Sequence, residues 1–179
     1  MATTRGGDKF SKAMGDLAAK LRNGEVRVGF LEPATYPNEM NVPTVAAIQD
    51  LGAPRAGIPP TGFFRNMIAA KKAEWPAAIK AQLKETNYNV SLTLASVGEG
   101  ISGQLRESII NTNEPPLSEV TLMLREMFPV GSDGVQSYKD VKIARARVES
   151  GERAQGVSTK RLIWTRNLLN SVSYEVKTS

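Results

Sequence analysis

The 179-residue chain contains no cysteine and no histidine. Without cysteine, disulfides and thiolate chemistry are excluded. Without histidine, the commonest general base and the commonest metal ligand disappear together, and zinc loses both of its preferred ligand types. Aromatic residues make up only 6% of the chain, so its core has to be built from Leu, Ile, Val and Ala. No apolar run approaches the ~20 residues of a membrane helix. The opening stretch Met1-Ala2-Thr3-Thr4-Arg5-Gly6-Gly7-Asp8 lacks the apolar centre of a signal peptide. The expectation is a protein held in the cytoplasm until it joins a larger structure, with no membrane partner.

The motifs of common catalysts are missing too. GxxxxGK[ST] does not occur. Gly98-Glu99-Gly100-Ile101-Ser102-Gly103 has the spacing GxGxxG, but it sits inside a helical pattern and not at the strand-to-helix turn where that motif holds a phosphate. Close helix packing is the better reading of those glycines. A Ser-His-Asp set is impossible, and no matched acid, base and nucleophile stand out. The chain therefore reads as a non-enzyme with no cofactor and no metal.

What is present is an uneven charge. Of the net +5, all of it falls between Lys139 and Arg166. Lys139, Lys142, Arg145, Arg147, Arg153, Lys160, Arg161 and Arg166 stand there against Asp140, Glu149 and Glu152. Such a segment suits either nucleic acid, through salt-sensitive phosphate contacts, or a neighbouring subunit. Stacking aromatics are few, only Tyr138 and Trp164, which favours the neighbouring subunit.

Periodicity predicts an amphipathic helix over 8–22, carrying Phe10, Met14, Leu17, Ala18 and Leu21. A half-buried strand is expected over 25–31, a loop over 32–43, and a helix over 42–51 stopped by Gly52. The segment Ala53 to Pro60 is expected to be extended because of its three prolines. Thr61 is expected to cap a helix running to Trp75. Further helices are predicted over 76–85, 89–111, 119–128 (capped by Ser118) and 166–170. Residues 139–148 alternate and suggest a strand of a long hairpin. A last strand over 172–176 should pair with the first. The sum is one α+β domain spanning 1–179. In it several helices pack on a small, mostly antiparallel sheet, with 129–160 as a long mobile hairpin or arm.

Three sets of phrases occur in order: Val26-Arg27-Val28-Gly29-Phe30-Leu31 with Tyr36-Pro37 and Val45-Ala46-Ala47-Ile48-Gln49-Asp50-Leu51-Gly52; Ile58-Pro59-Pro60-Thr61-Gly62-Phe63-Phe64-Arg65; and Pro115-Pro116-Leu117-Ser118 with Arg161-Leu162-Ile163-Trp164-Thr165 and Ser171-Val172-Ser173-Tyr174-Glu175-Val176. Together they resemble the neck and tail-completion proteins of long-tailed bacteriophages. The chain departs from that pattern at Thr61-Gly62, where Arg-Pro is usual, and at Trp164 and Arg166, where Asp and Gly are usual. The resemblance implies a structural virion protein forming a cyclic ring, a hexamer in family members, at the joint between head connector and tail tube. DNA would pass through its lumen. Its partners would be further copies of itself, connector or stopper proteins, and tail-tube or terminator proteins. A tail-terminator ring is the alternative within the family; a DNA-binding module using 139–166 is the alternative outside it. The residues expected to make contacts are Phe63, Phe64 and Arg65 beside the proline-stiffened segment, and Arg145, Arg147, Arg153, Arg161 and Trp164 in the basic stretch.

Overall fold

The structure, a computed structural model, describes residues 7–31 and 41–178; the side chains of Lys20 and Leu21 also fall outside that description. Tyr36-Pro37 and most of the expected 32–43 loop therefore lie outside the described residues. The element order is α1 (Gly7–Asn23), β1 (Glu25–Gly29), α2 (Val42–Leu51), a 3-10 turn (Pro54–Ala56), α3 (Phe63–Lys71), α4 (Trp75–Glu85), α5 (Val90–Asn111), α6 (Glu119–Met127), α7 (Tyr138–Glu149), α8 (Asn167–Asn170) and β2 (Ser173–Lys177). This is an α+β fold, helices around a two-stranded antiparallel sheet.

The helix α5 organises the rest. The Asn89 side chain accepts from the Leu92 amide at 3.1 Å and caps its first turn. Val90, Leu94, Val97, Leu105 and Ile109 recur on its buried side, and it packs against α3, α4 and both strands. Of its three glycines, Gly98 is the one that needs to be glycine. A Cβ there would stand 2.7 Å from Tyr174 Cδ2 and 2.8 Å from Val26 Cγ2, whereas Gly100 and Gly103 face open space. The sheet thus lies on α5 more closely than any side chain would permit. Val26 pairs with Val176 and Val28 with Tyr174, which ties an early segment of the chain to a late one. The main core joins Val42, Ala46, Phe63, Met67, Leu105, Leu162, Leu168 and Val172.

α1 forms as its periodicity predicts but barely joins this core. Phe10 remains 70% exposed and Met14 is also exposed. Together with Leu17 and Tyr88 they border one surface depression.

Three expectations are corrected. Residues 53–60 are not extended: Pro54–Ala56 form a 3-10 turn, and Ala53 and Ile58 pair across it with N–H···O distances of 2.8 and 3.1 Å. Proline's fixed φ fits a helical turn as well as an extended one, and Gly57, at φ +68, supplies the reversal. The next helix is Phe63–Lys71 and does not run to Trp75. Thr61 does not cap it; its hydroxyl donates to the Gln49 carbonyl at 2.8 Å. Residues 139–148 are not a hairpin strand but the body of helix α7, packed on α6. Ser137 and Asp140 form a reciprocal capping box at its start. Val141, Ala144 and Val148, its more buried apolar positions, stand at helical rather than strand spacing.

Candidate functional site

The first node of the site is built on Asp50, at the end of α2. This residue is 5% exposed, and no local rule marks it. Its Oδ1 accepts from the Phe64 amide at 2.8 Å and the Arg65 amide at 3.3 Å, so a carboxylate from α2 caps α3. Gly62, which takes the capping position in the left-handed region, has no side chain to do so. A carboxylate at a helix N-terminus also meets the positive end of the helix dipole. Asp50 Oδ2 accepts from Arg65 Nε at 2.7 Å, and Arg65 Nη2 donates to the Asp50 carbonyl at 2.8 Å. Arg65 is in place at the surface, its side chain 55% exposed. Phe63 and Phe64 separate as adjacent helical residues must. Phe63 is 1% exposed and packs edge-on to Phe30. It belongs to the core and reaches the surface only within the wall of one cleft, which corrects the expectation of a contact residue beside the proline segment. Phe64 is half-buried and lines two apolar clefts, one walled by Val28, Phe30, Ala46 and Leu51, the other by Val26, Ile68, Trp75 and Val97.

The second node gathers residues from far-apart phrases. Arg161 donates from Nη1 to the Pro115 carbonyl at 3.0 Å and from Nη2 to the Pro59 carbonyl at 3.5 Å, joining both proline segments. Next to it is Arg125 of α6, only 9% exposed. Its Nη1 donates to the carbonyls of Ser158 (2.6 Å) and Lys160 (2.9 Å), and its Nη2 to that of Arg161 (3.3 Å). The Trp164 ring lies 4.8 Å from the Arg125 guanidinium carbon, a cation–π contact. Thus Trp164 and Arg161 act within the chain, holding the 158–164 segment onto α6. Burial pushes the Arg125 pKa below the usual arginine value, and the charge of Arg161 adds to this. Burial lowers Arg161 as well. A guanidinium nevertheless stays charged at neutral pH.

The structure disperses the remaining basic residues. Arg147 lies between Glu152 (2.7 Å) and Glu126 (3.6 Å). Arg153 reaches Glu119 at 3.8 Å. Arg145 is exposed on α7 and has no ion-pair partner among the described residues. Sequence reasoning missed Asp50 and Arg125, the two buried charges that hold the site together. Nothing in their local sequence distinguishes them, because each acts on backbone remote in the chain. Among the described residues no group of three or more Asp and Glu side chains is gathered as a metal site requires. The chain matches no family model, no curated protein and no solved structure.

Proposed function

We propose that the chain is a structural subunit of a tailed-bacteriophage particle, a ring-forming neck or tail-completion protein joining the head connector to the tail tube. The observation that carries this reading is that the phrases of the resemblance, Tyr36-Pro37 aside, meet in space. Val28–Leu31, four residues of the α2 phrase (Ala46, Ala47, Asp50 and Leu51) and Phe63–Arg65 wall one cleft. Ile58-Pro59, Pro116–Ser118 and Arg161 wall another. Val26–Val28 pair with Tyr174–Val176. Each of these described phrases is thus structural, and each cleft is braced by proline or by a charged staple, which suits a rigid face that meets partners with little further loss of entropy. The exposed Phe10 and Met14 on α1 add an apolar face of the kind that marks protein contacts.

In an assembly of this sort the chemistry is complementarity. Head-to-tail contacts between identical subunits must close by rotation, or they grow into filaments. The test is twofold. Native mass spectrometry and negative-stain imaging of the purified chain should give closed rings of one copy number with an axial hole. A phage in which the gene is interrupted should yield filled heads and finished tails that remain apart. Tails of irregular length would instead assign the terminator role. A monomer at every concentration, together with normal virions from the interrupted phage, refutes the reading.

A further inference from the structure

We propose that the cleft between the two proline segments is a receptor for an acidic peptide segment, whose carboxylate is taken by Arg161 beside Arg125. The cleft has a volume of about 520 Å³ and is lined by Ile58, Pro59, Pro116, Ser118, Arg125 and Arg161 among others, with no Asp or Glu in its walls. Neither arginine forms an ion pair among the described residues. Two guanidinium charges therefore share one recess without an anion, and each is partly stripped of water. Backbone carbonyls meet part of the cost of that burial, and an opposite charge would relieve the rest.

The unused hydrogen-bonding capacity says what is missing. Arg161 has five N–H donors and gives two of them to carbonyls. Its Nε–H is buried with no partner. Gln49, also in the wall, has a buried Oε1 that accepts from nothing. Both atoms are closed off from the cleft, so what Arg161 offers a ligand is the second N–H on each of Nη1 and Nη2. A carboxylate matches that end-on pair in the planar form that a guanidinium fork fits. The N-terminus of α6, capped by Ser118, opens on the same recess and adds its partial positive charge. Ile58, Pro59 and Pro116 form stiff apolar sides that suit an extended segment.

That the acid comes from an adjoining virion chain rests on the function proposed above; the chemistry of the cleft does not. The experiment is fluorescence anisotropy of a labelled tetraglutamate peptide titrated with the full chain at low salt, with tetraglutamine, inorganic phosphate and a short DNA duplex as comparisons. Saturable binding of tetraglutamate alone is expected. Arg161→Gln should weaken it about tenfold or more, the scale of a lost charge-assisted hydrogen bond. Arg161 also staples two loops, so Gln49→Glu is the second variant. It leaves the Arg161 side chain in place, sets a negative charge in the cleft wall against that of the peptide, and should abolish binding while the thermal melt shows a folded protein. The double variant Lys142→Gln/Arg145→Gln on α7 should bind as the parent does. The proposal is overturned by no binding, by competition from duplex DNA equal to that from peptide, or by loss of binding in the α7 variant with retention in Gln49→Glu. Peptide binding by a chain that never forms rings supports the cleft and counts against the ring; rings without peptide binding do the reverse.

Discussion

Replacing Gly98 by alanine should have the opposite consequence to replacing its neighbours on the same helix. In a helix interior alanine is favoured over glycine by about 1 kcal/mol. At Gly100 and Gly103 a Cβ meets nothing within 4 Å, so each alanine should stabilise the protein by up to about 1 kcal/mol. At Gly98 the same carbon would sit 2.7 Å from one ring carbon of Tyr174, 3.0 Å from another, and 2.8 Å from a methyl of Val26. Neither neighbour can swing aside as the far end of a long side chain would. Val26 is stiff at χ1, and Tyr174 is held in the pairing with Val28. Forcing a methyl into such a contact costs about 1–3 kcal/mol. Set against the helix gain, Gly98→Ala should destabilise by up to about 2 kcal/mol, and should fall about 1–3 kcal/mol below Gly100→Ala. Urea unfolding of the three single variants measures this directly. Each kcal/mol should also move Tm by about 2–4 °C. Equal stabilisation by Gly98→Ala and Gly100→Ala would refute the close approach of sheet and helix, and with it the placement of β1 and β2.

Asp50→Ala should cost about 2–3 kcal/mol, because it leaves two α3 amides without their acceptor. Arg65→Ala should cost less than about 1 kcal/mol, since its side of the ion pair is largely exposed; denaturant midpoints separate the two. Arg125→Met should cost about 2–3 kcal/mol by releasing three carbonyls, and hydrogen exchange should show faster opening of 158–164. Ser102 is wholly buried with an unpartnered hydroxyl, so Ser102→Ala should be neutral or stabilise by about 1 kcal/mol in thermal melts. Ser137→Ala should cost about 1 kcal/mol through its capping box, read as lost helicity by circular dichroism.

Much of the fold is legible where a rule acts locally. Asn89 and Ser118 cap the helices they precede, Gly52 ends α2, and the two strands pair as their shortness demands. The error at α7 has a definite cause. Ile143 is exposed while Ala144 is buried, so the strand pattern read through Val141, Ile143, Ala144, Ala146 and Val148 is one that packing does not honour. Ser137 and Asp140, three apart, were the signal that could have corrected it. The site was less legible than the fold. Phe64 and Arg65 could be placed near the proline segment, because chain neighbours stay neighbours. Arg161 and Trp164 were singled out but their surroundings within the chain were not, since their partners Pro59, Pro115 and Arg125 come from other parts of it. Basic residues that look like one patch in a string are divided by folding among acids, carbonyls and solvent.

The pairing of Gly29 with Ser173 and of Glu25 with Lys177 has a consequence for how the protein is made. A strand emerging early from the ribosome waits roughly 150 residues for its partner, and the entropy of closing so long a loop is offset only when the final contacts arrive. Until then the side of α5 around Gly98 lacks the part of its cover that Tyr174 provides. The arrival of β2, not the synthesis of any single helix, is therefore the moment at which this domain becomes one cooperative body.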